Sequence, residues 1–339
     1  MSEHLLSVQD LHTSFFTDSG EVHAVNGVSF NLDPGEVLGI VGESGSGKSV
    51  TAYSIMQILA DTGRITSGHI LYKGQDLTTW DARQMSGFRG KCCSIVFQDP
   101  MTSLNPVFTI GNQLREAIEL HTDRKGKASL ARAIEMLELV GINEPQKRVK
   151  QYPHELSGGM RQRVMIAMAL ACEPDILIAD EPTTALDVTI QAQILKLMND
   201  LQRENGTAIM FITHDLGVIN EMADDVVVMY CGQVVERAPA RLIFTDCARS
   251  HPYTEGLMFS IPRLNDDRTK LDPIPGVVPH PLELPKGCKF APRCKYCTAR
   301  CLEEEPPLID VSDDQQIRCF YPDKQERRSA AHGEITVHR

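Results

Sequence analysis

The stretch GESGSGKS, residues 42–49, decides the fold. It follows the apolar run EVLGIVG and precedes VTAYSIMQIL, so the pattern predicts a strand, a loop and a helix in that order. Glycines let successive backbone N–H groups face phosphate oxygens, and the helix dipole adds positive potential at the same point. The stretch therefore predicts a nucleotide-phosphate site made by Gly42, Glu43, Ser44, Gly45, Ser46, Gly47, Lys48, Ser49 and Val50, in which Lys48 reaches the β- and γ-phosphates and Ser49 ligates Mg²⁺.

Further apolar runs indicate the class of fold around this loop. The runs CSIVFQ, DILIADE, TAIMFITHD and DVVVMYCGQ are typical of buried strands, and helical patterns lie between them. This alternation predicts an α/β fold with a central, mostly parallel sheet covered on both faces. Roughly the first 75 residues instead read as short strands broken by turns, which predicts an antiparallel β-subdomain. Residues from about 104 to 172 read as helices and predict a helical insert.

Polar side chains follow several of these predicted strands. Asp180 and Glu181 end one run, Gln98 ends another, and His214 ends a third. The carboxyl ends of parallel strands gather at one edge of a sheet, so we expect these groups to meet there. Asp180 suits the magnesium shell, and Gln98 suits either the orientation of the attacking water or the same metal shell. Glu181 suits a general base acting on water, and His214 suits a contact with the γ-phosphate.

A second helix end suited to an anion lies more than a hundred residues downstream. LSGGM, residues 156–160, places Ser157 as a helix cap, and Gly158 and Gly159 permit close backbone approach. An ordinary capped core helix explains the same residues equally well from the sequence alone.

Composition and charge narrow the class of protein. The chain has 339 residues and a net charge of −11, which counts against a nucleic-acid partner because phosphate backbones are usually met by a basic surface. No apolar run approaches the ~20 residues that span a bilayer, and the first residues lack the pattern of a signal peptide. We therefore expect a cytoplasmic protein that reaches a membrane only through a partner.

Together these motifs resemble the ATP-binding subunits of ABC transporters. Five of them occur in the family's order, at 42–49, Gln98, 156–160, 176–181 and His214, and ALD at 185–187 resembles the family's D-loop. The resemblance implies a P-loop NTPase of the ABC ATPase type, with ATP and Mg²⁺ as ligands. It also implies that Phe15 stacks on adenine, with Phe16 as the alternative, and that Asp187 belongs to the nucleotide site.

The resemblance also answers why one chain carries two phosphate-binding helix ends. In this family Ser157, Gly158 and Gly159 reach across a head-to-tail dimer to the γ-phosphate of the nucleotide held by the other subunit. ATP then joins two subunits and its hydrolysis separates them. A soluble ABC ATPase unconnected to transport is the competing class, but the long coiled coils or paired ATPase units of that class are not found in this sequence.

The carboxyl-terminal third resembles one group of ABC importers. HPYTEGLM, IPG and LPKGCKFAPRC are similar to the ends of ATPase subunits from bacterial dipeptide and oligopeptide importers, with nickel and other small-solute importers in the wider group. The resemblance implies a second, different ATPase subunit, two permeases, an extracytoplasmic solute-binding protein, and a location on the cytoplasmic face of the cell membrane. A permease helix is expected to dock near QDPMTSLNPVFTIGNQL, residues 98–114.

Five cysteines lie close together between positions 288 and 319. Their spacing is not that of a zinc ribbon or of a ferredoxin, so an iron–sulfur cluster, zinc and free thiols all remain open from the residues alone. Relatives hold an iron–sulfur cluster in this region, and Cys288, Cys294, Cys301 and Cys319 match their pattern, which implies a [4Fe–4S] cluster with Zn²⁺ as the alternative. Cys297 is then additional, and the remaining cysteines are expected in or near the core: Cys92, Cys93, Cys172, Cys231 and Cys247.

The texture of the sequence divides the chain into three parts. Residues 1–240 are predicted to form the nucleotide-binding domain. Residues 241–325, rich in proline and turn residues, are predicted to form a small cysteine-containing extension, and residues 326–339 a flexible tail.

Overall fold

The computed structural model describes residues 4–99, 103–184, 186–245, 248–260 and 274–335. Its strands, in chain order, are β1 (Leu6–Thr17), β2 (Gly20–Leu32), β3 (Val37–Val41), β4 (Gly63–Tyr72), β5 (Gln75–Asp76), β6 (Cys93–Val96), β7 (Ile176–Asp180), β8 (Ala208–Thr213), β9 (Asp225–Tyr230), β10 (Gln233–Pro239), β11 (Ile309–Ser312) and β12 (Gln315–Ile317). Its helices are α1 (Lys48–Met56), α2 (Ala82–Phe88), α3 (Ile110–His121), α4 (Lys127–Leu139), α5 (Pro145–Arg148), α6 (Gly158–Leu170), α7 (Val188–Asn205), α8 (Leu216–Met222), α9 (Ala240–Ile243), α10 (Pro252–Phe259), α11 (Ala299–Glu303) and α12 (Lys324–Ile335).

One compact unit comprises Leu6–Asn31, Leu38–Thr78 and the chain from Thr213 onward. It holds the antiparallel sheet predicted from the first residues, with strand order β2-β1-β4-β5. It also holds β3, which pairs in parallel with β9 from Leu38 to Val41 and is buried along its whole length. An apolar strand buried on both faces is the physical reason for the unbroken run before the phosphate loop.

The carboxyl-terminal region adds two strands that the sequence did not suggest. β10 pairs antiparallel with β9, β12 pairs antiparallel with β10 at Glu236 and Ile317, and β11 pairs with β12. The alternation of buried and exposed residues that is typical of a strand cannot be seen here, because β11 is four residues long and mostly exposed. Part of the region predicted as irregular is thus an edge hairpin.

Among the described residues, the other compact unit comprises residues 4 and 5, Leu32–Val37 and Thr79–Ile212. β6, β7 and β8 run parallel within it, as the apolar runs predicted. Helices α3 to α6 lie between β6 and β7, inside the stretch predicted as a helical insert. Thr109 caps α3 and Ser157 caps α6, each accepting a hydrogen bond from a backbone N–H of the first turn.

The last residues differ from the predicted flexible tail, because α12 runs from Lys324 to Ile335. Arg327 is only 1% exposed, although it lies inside the predicted tail. Its guanidinium donates to the Ser250 carbonyl at 2.7 Å and pairs with Glu255 at 2.8 Å. A buried, paired arginine ties this helix to the unit, and residues 336–339 lie outside the described residues.

Candidate functional site: a phosphate loop and its catalytic groups

The phosphate loop joins β3 to α1, in the predicted order. Gly47 occupies the cap position of α1 with φ +98°, a conformation that L side chains rarely adopt. A Cβ atom on Gly47 would lie 2.5 Å from the Ala24 carbonyl oxygen, and one on Gly42 would lie 2.2 Å from that of Met229. These two glycines are therefore required by close backbone contacts, whereas Gly45 has open space around it.

Lys48 lies buried against the same loop. Its ammonium donates to the carbonyl oxygens of Gly42 at 2.7 Å and Glu43 at 3.0 Å. Ser49 and Val50 follow on the first turn of α1 and are half-buried, whereas Ser44 and Gly45 are exposed. Loop carbonyls thus hold the lysine at the helix end, where the dipole favours an anion.

Asp180 and Glu181 lie where β7 ends, as predicted. Asp180 is fully buried, and Glu181 is half-buried with φ +47°, in the left-handed region that non-glycine residues seldom occupy. The Glu181 carboxylate accepts hydrogen bonds from the Gln98 amide at 3.0 Å and from the Thr184 hydroxyl at 2.8 Å. The structure therefore brings Gln98 and Glu181 together, and it adds Thr184, which the sequence reasoning missed because a threonine in PTTALD carries no distinctive spacing.

His214 and Asp187 lie at the starts of helices. His214 is exposed and follows β8 directly, next to Asp215, which caps α8. The Asp187 carboxylate accepts a hydrogen bond from the Ile190 N–H at 3.0 Å and so caps α7. Ala185, in the same ALD stretch, lies outside the described residues.

The second glycine pair opens α6 on the surface. The Ser157 hydroxyl accepts a hydrogen bond from the Met160 N–H at 3.4 Å, and Ser157 and Gly158 are both exposed. Among the described residues, and apart from its chain neighbours and its own helix backbone, no heavy atom lies within 4 Å of the position that a Gly158 Cβ would take, while Gly159 approaches Ile190. An exposed, glycine-lined helix start can admit an anion from outside the chain.

The two phenylalanines near the end of β1 differ in exposure. Phe15 is half-buried and its ring lies against Gly63. Phe16 is 46% exposed, and the Arg64 guanidinium lies 5.9 Å from its ring centre. Neither ring is fully buried, so the exposure of each is compatible with stacking on adenine, the role expected of Phe15 or, alternatively, of Phe16.

The four cysteines predicted to be cluster ligands line one pocket. Cys288, Cys294, Cys301 and Cys319 all line it together with Phe290 and Tyr296, whereas Cys297 does not. The Cys319 sulfur accepts a hydrogen bond from the Tyr321 N–H at 3.4 Å, and the Thr298 hydroxyl lies 3.4 Å from the Cys301 sulfur. Within the described residues, no three His, Cys, Asp or Glu side chains are grouped so that they could hold a single metal ion.

Burial raises the pKa of three of the thiols that line this pocket. It raises the pKa of Cys288 and of Cys294 to about 12, with the neighbouring cysteines adding to the effect, and it also raises the pKa of Cys319. Such thiols are protonated at neutral pH, so thiolates at these positions require a cation bound among them.

The cysteines that were predicted in or near the core are buried to different degrees. Cys93 and Cys231 are buried, while Cys92 and Cys172 are half-buried. Cys247, also predicted in or near the core, lies outside the described residues.

Sequence reasoning also missed the surroundings of Glu43. Its carboxylate pairs with Arg293, 250 positions away, and its N–H donates to the Tyr253 hydroxyl. No local sequence pattern predicts a contact between two residues that lie so far apart in the chain.

Comparisons with known proteins agree with this geometry. Residues 25–184 match the family model described as ABC transporter, and residues 235–301 match the one described as oligopeptide/dipeptide transporter, C-terminal region. The chain is 50% identical to the oligopeptide transport ATP-binding protein AppD of Bacillus subtilis (strain 168), over 93% of this chain and 96% of that protein. It is 49% identical to the dipeptide transport ATP-binding protein DppD of the same organism, over 98% and 99%.

Solved structures show the same fold. A dimeric post-hydrolysis state of the ATP-binding cassette MJ0796, bound to ADP and phosphate, aligns with a TM-score of 0.64 at 27% identity, covering 70% of this chain and 99% of that one. CbiO1 from Clostridium perfringens, part of the ABC transporter complex cbiONQ, aligns with a TM-score of 0.61 at 28% identity, covering 72% and 92%. The ABC ATPase fold expected from the motifs is thereby confirmed.

No helix among the described residues is long and apolar enough to cross a membrane. With its phosphate loop, its glutamate after β7 and its match to two family models, the chain belongs to the ABC transporter family, among the ATP-hydrolysing subunits of the oligopeptide/dipeptide transporter group.

Proposed function

We propose that this chain powers an importer of dipeptides or oligopeptides by ATP-driven dimerisation coupled to membrane permeases. The observation that carries the proposal is that one chain has two helix starts suited to phosphate, the loop at 42–49 and the exposed cap at Ser157–Gly159, together with a carboxyl-terminal region matched to peptide transporters. Each half-site then needs its complement from another subunit.

In this proposal the phosphate loop grips ATP and Glu181 acts on the attacking water. Lys48 exchanges its loop carbonyls for the β- and γ-phosphates, because phosphate oxygens carry more charge. Ser49, Gln98 and Asp180 offer oxygen ligands for Mg²⁺, which neutralises charge on the phosphates when bound. Gln98 and Thr184 hold the Glu181 carboxylate so that it can take a proton from water.

The complementary half-site comes from the second subunit. Its Ser157, Gly158 and Gly159 would donate to the γ-phosphate, and Asp187 would lie beside them in the sandwich. Supporting this, Gly158 has open space around it, and the solved relative MJ0796 is described as a dimer. Phe15, or else Phe16, would stack on adenine, and His214 would contact the γ-phosphate.

The proposed role in a peptide importer also specifies the partners of this chain. A second ATPase subunit, two permeases and an extracytoplasmic solute-binding protein complete the importer, and the chain sits on the cytoplasmic face of the membrane. Val107 and Phe108, inside the expected permease-docking stretch, are 71% and 49% exposed, and an apolar pair in water is suited to a covering partner. Residues 100–102 of that stretch lie outside the described residues.

Uptake by the reconstituted importer tests the substrate. We expect proteoliposomes holding this chain, its partner ATPase and both permeases to import a labelled dipeptide or pentapeptide when ATP and the binding protein are supplied. A Lys48→Ala variant should reduce uptake to background, since the lysine contributes phosphate binding. Uptake of Ni²⁺ without peptide would assign the chain to the nickel importers, and ATPase activity indifferent to the permeases would favour an ABC ATPase outside transport.

We also propose that Cys288, Cys294, Cys301 and Cys319 hold a [4Fe–4S] cluster. Four thiols on one pocket form the donor set of such a cluster, and Cys297 is absent from that pocket. The bound cluster would supply the positive charge that the buried thiolates require.

Substituting single cysteines tests this assignment. After anaerobic purification, Cys297→Ser should keep about four iron atoms per chain and a brown colour, whereas Cys294→Ser should lose both. The measurements are iron and sulfide content and visible absorbance. Colourless wild-type protein with one zinc per chain would show that the cysteines hold zinc and not an iron–sulfur cluster. Loss of iron in Cys297→Ser would show that Cys297 is one of the ligands.

A further inference from the structure

Glu43, the second residue of the phosphate loop, is held by the carboxyl-terminal region. Arg293 makes a two-pronged ion pair with its carboxylate, with N···O distances of 2.6 and 3.0 Å. The backbone N–H of Glu43 donates to the Tyr253 hydroxyl at 2.8 Å. Both the side chain and the backbone of one loop residue are thus fixed by distant parts of the chain.

Arg293 is itself built into the protein. Its side chain is 3% exposed, and its Nε donates to the Pro275 carbonyl at 3.1 Å. Its guanidinium lies 5.8 Å from the ring centre of Tyr230 and 6.0 Å from that of Phe290. The Glu43 carboxylate raises the pKa of Arg293 above its usual range, so the arginine stays charged. A planar guanidinium held in this way cannot follow Glu43 if the loop moves.

Glu43 connects this anchor to the lysine of the loop. Its carbonyl oxygen accepts a hydrogen bond from the Lys48 ammonium at 3.0 Å and another from the Ser46 N–H at 3.2 Å. Any shift of Glu43 therefore moves the carbonyl that orients Lys48. In addition, an unpaired Glu43 carboxylate would place a negative charge in the loop that must receive an anionic nucleotide.

We infer that Arg293 is a positioning residue for nucleotide binding: by pairing with Glu43 it neutralises that carboxylate and holds the phosphate loop in the shape that accepts ATP. The inference rests on the proposed use of this loop for ATP. It makes nucleotide affinity depend on the carboxyl-terminal region, which does not itself touch phosphate. If Arg293 only tethered the carboxyl-terminal region, its ion pair with Glu43 would not be needed.

The affinity of full-length protein for a non-hydrolysable ATP analogue with Mg²⁺, measured by calorimetry, tests the inference. We expect Arg293→Gln to weaken binding about tenfold, a coupling of ordinary size between two sites. Arg293→Lys should fall between, because an ammonium keeps the charge but loses the two-pronged geometry. In the Arg293→Gln background, adding Glu43→Gln should restore part of the lost affinity, because no unpaired carboxylate remains although the ion pair no longer holds the loop.

That partial rescue separates an effect exerted through Glu43 from a merely structural role of Arg293. If Arg293 served only to tether residues 274–276, Glu43→Gln would restore nothing, and this result would overturn the inference. Unchanged affinity in Arg293→Gln would overturn it too. Arg241→Gln is the matched control, since Arg241 is 68% exposed and pairs with Asp314 at the surface, and its affinity should match the wild type.

Two further measurements keep the test decisive. Should Arg293→Gln fail to fold, Arg293→Lys and the double variant carry the comparison, with thermal unfolding recorded for each. Lys48→Ala tests the proposed function separately: if it binds the analogue normally, the loop is not the nucleotide site, whereas lost binding in Lys48→Ala with normal binding in Arg293→Gln rejects only the positioning role.

Discussion

Replacing Glu181 with glutamine is expected to lower ATP hydrolysis by at least about a hundredfold, the contribution of a general base. The amide cannot take a proton from water, but it keeps the size of the side chain and can still accept from Thr184. ATP binding should therefore survive, and the two nucleotides should hold the subunits together. Steady-state phosphate release and size-exclusion chromatography with ATP measure the two effects.

The control is Glu204→Gln, which changes an exposed acid on α7 in the same compact unit. It should hydrolyse ATP at the normal rate. A Glu181→Gln variant that did the same would remove Glu181 from the role of base, and one that hydrolysed slowly but stayed monomeric with ATP would separate the base from the dimer model.

Replacing Gly47 with alanine is expected to abolish nucleotide binding at ordinary concentrations. The new Cβ would lie 2.5 Å from the Ala24 carbonyl oxygen, and the backbone holds φ +98°. Overpacking and the unfavourable backbone together cost about 2–5 kcal/mol, which falls on the residue that occupies the cap position of α1 and directly precedes Lys48. At the lower limit this corresponds to about 30-fold weaker binding of ATP.

Gly45→Ala provides the matched comparison in the same loop. Gly45 also has a positive φ, of +78°, but nothing lies within 4 Å of its added Cβ. Only the backbone strain remains, about 1–2 kcal/mol, so nucleotide binding should weaken less than in Gly47→Ala. Equal losses in the two variants would show that φ, and not the contact with Ala24, limits the loop.

Much of the fold, and the position in it of the residues proposed to bind nucleotide, could be predicted because the signals are local. The glycines and lysine of 42–49 lie within eight residues, and the helix dipole they exploit begins at the next turn. Asp180 ends a five-residue strand that is wholly buried and Glu181 follows it, so the apolar run before them marks their position. In the same way, Ser157 marks the start of α6 through its own hydrogen bond to Met160.

Other features could not be predicted because they depend on pairings between distant residues. The β11–β12 hairpin is short and exposed, so its pairing with β10 leaves little pattern in the sequence. The helix at Lys324–Ile335 is polar and reads as a tail until Arg327 is seen buried against Glu255. A polar segment of this kind is ordered by long-range contacts of its charged side chains and not by its own periodicity.

The sequence by itself predicted which groups would carry the chemistry: a phosphate loop with its lysine, an acidic pair at the end of a buried strand, and a second glycine-lined helix start. Only the tertiary structure decided how those groups are held. Gln98 lies 83 residues from Glu181, and Arg293 lies 250 residues from Glu43, yet each pair is in hydrogen-bond contact. Local spacing specifies a motif because a few bonds set its geometry, whereas a contact between distant side chains exists only after the whole chain has folded.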